Sequence, residues 1–147
     1  MDVRPVNILL VEDNTSHAKL VIRCMTDHAV ANRITHVADG EAALDCLFQR
    51  GEYTDPVEFP HTDLMLLDLR LPKLDGLEVL KEVRSSPELV RIPVVILTTS
   101  EAEADIAKAY ELHANSYLVK PVDFANFSKM MKTLGYYWLA WNRSPNL

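Results

Sequence analysis

Leu64-Met65-Leu66-Leu67-Asp68-Leu69-Arg70-Leu71-Pro72-Lys73-Leu74-Asp75-Gly76 is the stretch on which the reading of the fold turns. Four consecutive apolar residues, Leu64 to Leu67, predict a strand covered on both faces, since a strand with one wet face would alternate. Asp68 lies where that strand runs out. In an open α/β sheet ligands bind in the crevice outside the carboxyl ends of the strands, so an acid at that edge meets solvent and ligand rather than core. Pro72 and Gly76 then punctuate a turn ahead of a helix.

The same punctuation recurs on both sides of this stretch. Val6 to Val11 reads as a first strand ending in Glu12-Asp13, and Asn14, Thr15 and Ser16 offer N-caps for a helix with Leu20, Val21, Cys24 and Met25 on one face. Arg33 to Val37 is a short second strand, Asp39-Gly40 turns the chain, and Ala42 to Phe48 forms a second helix. Tyr53 to His61, with Pro56 and Pro60, reads as an irregular loop. Beyond Asp68, Leu77, Leu80 and Val83 mark a third helix. Ile92 to Leu97 is a fourth strand ending in Thr98-Thr99-Ser100, Glu101 to Leu112 a fourth helix, and Ser116 to Val119 a fifth strand ending in Lys120-Pro121. Phe124, Phe127, Met131, Leu134, Trp138 and Trp141 recur at steps of three and four, which predicts a long final helix. Strands alternating with helices predict an α/β fold, a parallel sheet covered on both faces with right-handed crossovers. Such a sheet brings Glu12, Asp13, Asp68, Thr98 and Lys120 to one edge.

Composition narrows the classes. The 147 residues suit one domain, 48% hydrophobic and 24% charged. No apolar run approaches the roughly 18 residues of a membrane span, and Met1 to Pro5 do not resemble a signal peptide, so a cytoplasmic location without membrane contact is expected. A net charge of −6 opposes direct binding to nucleic acid, whose affinity rests on Lys and Arg. Cys24 and Cys46 fall among apolar neighbours and read as buried free thiols. The five histidines lack metal-ligand spacing.

Three crowded carboxylates cost Coulomb energy unless a cation joins them, and the all-oxygen set of Glu12, Asp13 and Asp68 suits Mg²⁺. Asp68 is then placed as a nucleophile toward a phosphoryl group, with the Lys120 ammonium as counter-charge and the Thr98 hydroxyl as hydrogen-bond donor. On these residues, in this order and spacing, the chain resembles the receiver domain of two-component response regulators over essentially its whole length. The resemblance implies a doubly wound, flavodoxin-like (βα)5 fold with strand order 2-1-3-4-5. It further implies Asp68 as phosphoacceptor, a metal held by Asp13, Asp68 and the backbone carbonyl of Arg70 and, directly or through water, by Glu12, a switch formed by Thr98 and Tyr117, and a cis Lys120-Pro121 bond. It makes the protein a switch that catalyses only its own phosphorylation and dephosphorylation.

Gly51-Glu52-Tyr53, Arg91 to Ser100 and Tyr110-Glu111-Leu112-His113 look like a narrower group, the small response regulators paired with cyanobacterial phytochrome kinases. That likeness implies a histidine kinase as phosphodonor and a homodimer signalling to a further protein. The aromatic-rich extension of the last helix, at about 135–147, carries more apolar surface than one domain easily buries, so Phe127, Tyr137, Trp138 and Trp141 are candidate dimer or partner contacts. Two other classes fit the residues less well. A Mg²⁺ phosphohydrolase of the haloacid-dehalogenase type would carry an acid two residues after its nucleophile, where Arg70 stands. A pseudo-receiver that binds partners without phosphorylation would lack one of the acids or the lysine, and none is missing. Arg70 beside the phosphoryl group would also hinder an attacking water, which predicts slow dephosphorylation.

Overall fold

The computed structural model describes residues 5–27 and 32–141, with side chains given to 139. Five parallel strands, β1 (Val6–Val11), β2 (Asn32–Val37), β3 (Leu64–Leu67), β4 (Val94–Thr98) and β5 (Ser116–Val119), lie in the order β2-β1-β3-β4-β5. Five helices intervene: α1 (Thr15–Thr26), α2 (Gly40–Leu47), α3 (Gly76–Ser85), α4 (Glu103–Glu111) and α5 (Phe124–Gly135). From β1 the chain passes to β2 on one side and then to β3 on the other, so the crevice expected for ligands in such a sheet opens between the carboxyl ends of β1 and β3.

The register shows why the central strands carry no polar alternation. Ile8 pairs with Leu64 and Leu10 with Leu66, and these pack with Val95, Leu97, Val21, Phe127 and Met131 on one face. Leu9 pairs with Met65 and Val11 with Leu67, and these pack with Val94, Ile96, Leu44, Leu80 and Ala109 on the other. Each face buries every second residue, so α1 and α5 on one side and α2, α3 and α4 on the other require an unbroken apolar run. Four helices start where a side chain accepts from an early backbone N–H: Asn14 from His17 at 3.0 Å, Asp39 from Ala42 at 2.7 Å, Asp75 from Glu78 at 3.0 Å and Asp123 from Asn126 at 2.9 Å.

Several expectations are corrected in detail. β4 begins at Val94 rather than Ile92, because Pro93 has no N–H to give the ladder, although its carbonyl accepts from Met65 N at 3.0 Å. The final helix is α-helical only to Gly135 and continues as a π-helical segment over Tyr136–Trp141. Phe124 is 64% exposed instead of covering the sheet, since the first turn of α5 faces a groove shared with Leu20 and Cys24 of α1. Cys24 is only half-buried, while Cys46 is buried; both are free.

Arg84, at the end of α3, closes the side of the sheet away from the crevice. Its guanidinium donates to the carbonyls of His113 (3.0 and 3.1 Å), Val90 (2.9 Å) and Ile92 (2.7 Å) and to Asn115 Oδ1 (3.1 Å). Burial pushes its pKa down, and no carboxylate is among these partners. Truncation strands several carbonyls at once, so Arg84→Ala is expected to cost about 2 kcal/mol, read as a lower urea midpoint at unchanged m.

Candidate functional site

The backbone ladder runs one residue past the ends of β1, β3 and β5 and so fixes where the polar side chains emerge. Asp68 N–H donates to Val11 O at 3.1 Å, Glu12 N–H to Val37 O at 3.0 Å, and Lys120 N–H to Thr98 O at 2.8 Å. Glu12 and Asp68 therefore leave adjacent strands side by side, and Lys120 leaves beside Thr98. Gly76 secures the same edge from behind: a Cβ there would lie 2.2 Å from the Asp68 carbonyl oxygen, so only glycine lets α3 start against that backbone.

One oxygen from each of Glu12, Asp13 and Asp68 lies within 4.8 Å of the others. Glu12 and Asp68 are buried and Asp13 is exposed, so the cluster has a wet side and a dry side. On the dry side the buried Lys120 ammonium contacts Glu12 Oε1, Asp68 Oδ2 at 3.2 Å and His17 Nδ1 at 3.1 Å, which occupies all three of its hydrogens. Burial raises the Glu12 carboxyl to about 7, even though Lys120 pulls it down. Burial opposes ionisation of Asp68 too, but the Lys120 charge and hydrogen bonds from Glu12, Thr98 and Lys120 hold it below the ordinary carboxylate value. Asp68 is thus an ionised carboxylate at neutral pH, beside an acid that titrates near neutrality. The donor set is all oxygen and carries more negative charge than Lys120 balances, which fits a hard divalent cation.

Thr98 is fully buried, and its Oγ1 accepts from Ser100 N at 3.4 Å. The half-buried Tyr117 donates through its hydroxyl to Ser100 O at 3.0 Å. Arg70 leaves the site altogether: Nη2 is 2.5 Å from Asp105 Oδ2 on α4, which also accepts from Ser100 Oγ at 2.6 Å. Only the Arg70 backbone stays close, its N–H reaching Asp68 Oδ1 at 3.4 Å. Among the described residues no peptide bond is cis, so the Lys120-Pro121 bond is trans, contrary to expectation; for a prolyl bond the two forms differ by only about 0.5–1 kcal/mol.

The four aromatic contact candidates separate. Phe127 is a correction: at 3% exposure it is core, because its place on α5 faces the sheet with Met131 and Leu134, and it has no surface to offer. Tyr137 is 55% exposed, Trp138 is half-buried against the core, and the Trp141 side chain lies outside the described residues. Tyr137 and Trp138 line an open groove of about 520 Å³ with Leu118 of edge strand β5 and Met130 of α5. The sequence reading missed His17. The one signal available was its position in the first turn of a helix that starts directly after the acidic pair.

The sequence profile of the response regulator receiver domain matches residues 8–132. The chain belongs to that family. This receiver is 46% identical over 143 residues to "Probable methanogenesis regulatory protein FilR2" of Methanothrix harundinacea (strain 6Ac), over 96% of this chain and 88% of FilR2. It is 43% identical over 135 residues to the response regulator Rcp1 of Synechocystis sp., over 92% of this chain and 90% of Rcp1. The crystal structure of Mn²⁺-bound Rcp1 superposes with a TM-score of 0.91 over 96% of this receiver and 99% of that chain. The structure of the phosphorylated cyanobacterial phytochrome response regulator RcpA, 39% identical, gives a TM-score of 0.91 over 97% of this receiver and 99% of that chain. The flavodoxin-like fold with order 2-1-3-4-5 is that of these response regulators. The receiver is accordingly a signalling switch related to phytochrome response regulators. Among the described residues no helix is long and apolar enough to cross a membrane.

Proposed function

We propose that Asp68 accepts a phosphoryl group from a histidine kinase. The observation that carries this is an ionised, buried carboxylate held by Lys120 within 4.8 Å of two further acids. In the transfer an Asp68 oxygen forms a bond to phosphorus as the donor P–N bond breaks, and the imidazole leaves with that electron pair. Lys120 balances charge on the equatorial oxygens and the Thr98 hydroxyl donates to one of them. Glu12, Asp13, Asp68 and the Arg70 carbonyl would hold Mg²⁺, which when bound neutralises carboxylate and phosphoryl oxygens together. Thr98 and Tyr117 form the switch: drawing Thr98 toward the phosphoryl group disturbs Ser100, on which the Tyr117 hydroxyl rests. Residues 1–147 act as one cytoplasmic receiver with an aromatic-rich extension, without membrane or nucleic-acid contact.

The likeness to Rcp1 and RcpA supports a phytochrome kinase as partner. The higher identity to FilR2 supports a second reading, a kinase with another stimulus. Phosphotransfer decides between them: a histidine-phosphorylated phytochrome kinase is expected to lose its label to this chain faster than other kinases of the same cell, and the reverse ranking favours the second reading. A homodimer through Tyr137, Trp138 and the β5 edge would bury the groove and pass the signal to a further protein. A monomer by sedimentation at micromolar concentration, with and without phosphodonor, refutes the dimer.

Two outcomes follow from the site. Because a cation must displace the proton that Glu12 holds near pH 7, Mg²⁺ affinity is expected to fall by up to about tenfold per pH unit between 7 and 6 and to level off above 8. Calorimetry in buffers of different ionisation enthalpy reads the proton released. Arg70 acts as a brake on hydrolysis only by exchanging Asp105 for the phosphoryl group, since its guanidinium now lies along α4. Arg70→Ala is expected to shorten the phosphoryl lifetime several-fold, followed by intact mass after donor removal; an unchanged lifetime removes the brake.

A further inference from the structure

His17 is a built part of the site that the phosphoryl chemistry above does not use. Its backbone N–H is capped by Asn14 Oδ1 at 3.0 Å, so the first turn of α1 fixes where the side chain starts. Its ring lies over Phe127 of α5, with centroids 5.9 Å apart and planes at 33°. Nδ1 is 3.1 Å from Lys120 Nζ and 3.8 Å from Glu12 Oε1. An ammonium can only donate, so Nδ1 carries the lone pair and the ring proton sits on Nε2.

We propose that His17 is a positioning residue for Lys120, its Nδ1 accepting the third ammonium hydrogen and holding Nζ between Glu12 and Asp68. A lysine head on a four-carbon stem is not held by charge alone, and each acceptor removed frees rotamers that point it elsewhere. The chemistry of the acceptor matters as well. Glu12 competes with a phosphoryl group for the ammonium charge, whereas a neutral imidazole keeps the side chain in place and leaves that charge available. The inference rests on the reading of Asp68 as phosphoacceptor, but the contact between His17 and Lys120 can be tested without it.

Long-range ¹H–¹⁵N correlation on the intact chain is expected to show His17 as the Nε2–H tautomer, with its Nδ1 signal moving in Lys120→Ala. The Nδ1–H tautomer, or an Nδ1 signal indifferent to Lys120, overturns the contact. The kinetic test separates hydrogen bond from packing. His17→Phe keeps a ring against Phe127 without an acceptor, while His17→Asn places an oxygen at the position of Nδ1 without the ring. With acetyl phosphate and saturating Mg²⁺, quenched and weighed as the intact protein, His17→Phe is expected to acquire the phosphoryl group about tenfold more slowly. His17→Asn is expected to recover most of that rate even where thermal unfolding shows it to be the less stable variant. A His17→Phe rate equal to wild type, or equal slowing in both variants, overturns the positioning role. Wild type that takes up no phosphoryl group, with the tautomer as expected, overturns the reading of Asp68 and this role with it, leaving only a structural contact.

Discussion

Asp68→Asn is expected to gain no phosphoryl adduct from acetyl phosphate or from a phosphorylated kinase, while remaining folded. The amide fills nearly the same volume at the same strand end but offers no ionised oxygen to form the bond to phosphorus. The fold is expected to survive because Lys120 keeps Glu12 and His17 as partners, and because Asp68 was itself opposed by burial. Intact mass spectrometry after incubation with donor and Mg²⁺ reads the result directly. Asp13→Asn is the informative contrast. Asp13 is exposed and does not touch Lys120 in the structure, so its loss is expected to weaken cation binding and slow labelling without abolishing it. Label retained in Asp68→Asn would place the phosphoacceptor elsewhere.

Lys120→Met is expected to combine a large kinetic defect with a pH-dependent loss of stability. The variant keeps the aliphatic stem but leaves Glu12, 2% exposed, and Asp68, 8% exposed, facing each other without a cation. Breaking a buried ionic cluster on one side costs about 3 kcal/mol, because the remaining charge is uncompensated. Here part of that cost is avoided by protonation. Glu12 already titrates at about 7 in the folded chain against 4.5 without the fold's influence, and losing Lys120 removes the charge that pulled it down. A carboxyl whose folded value is raised binds its proton more tightly in the native state, so native stability falls as pH rises through the window between the two values. The deficit of Lys120→Met relative to wild type is therefore expected to be small near pH 5 and largest near pH 8. Urea midpoints at the two pH values, with m unchanged, measure it. A deficit independent of pH would mean that Glu12 does not carry the proton. Phosphorylation is expected to slow by about a hundredfold or more, the scale seen when a preorganised positive partner is removed from a charge-developing step.

The strands were legible wherever burial on both faces forced an unbroken apolar run, as in Leu64 to Leu67 and Ile8 to Val11. Their carboxyl ends could then be read as a list of polar residues in one place. The start of α1 was legible at Asn14, because a side chain that accepts from a nearby N–H acts within a single turn; Asp39, Asp75 and Asp123 cap the same way, but the structure was needed to show it. Local signals failed at α5. A spacing of three and four is the same for a residue that meets the sheet and one that overhangs it, so Phe127 and Phe124 looked alike. One is core and the other is 64% exposed.

The sequence by itself determined the α/β class, the crevice edge and the identities of Glu12, Asp13, Asp68, Thr98 and Lys120, since each follows from residue type and distance along the chain. Only the tertiary structure decided how those groups share protons and partners. Glu12 turned inward to Lys120 while its neighbour Asp13 stayed exposed, Arg70 reached Asp105 across 35 positions of sequence, and His17 met Lys120 across 103. Desolvation and hydrogen bonding are set by what surrounds a group in space, and neither leaves a periodic trace along the chain.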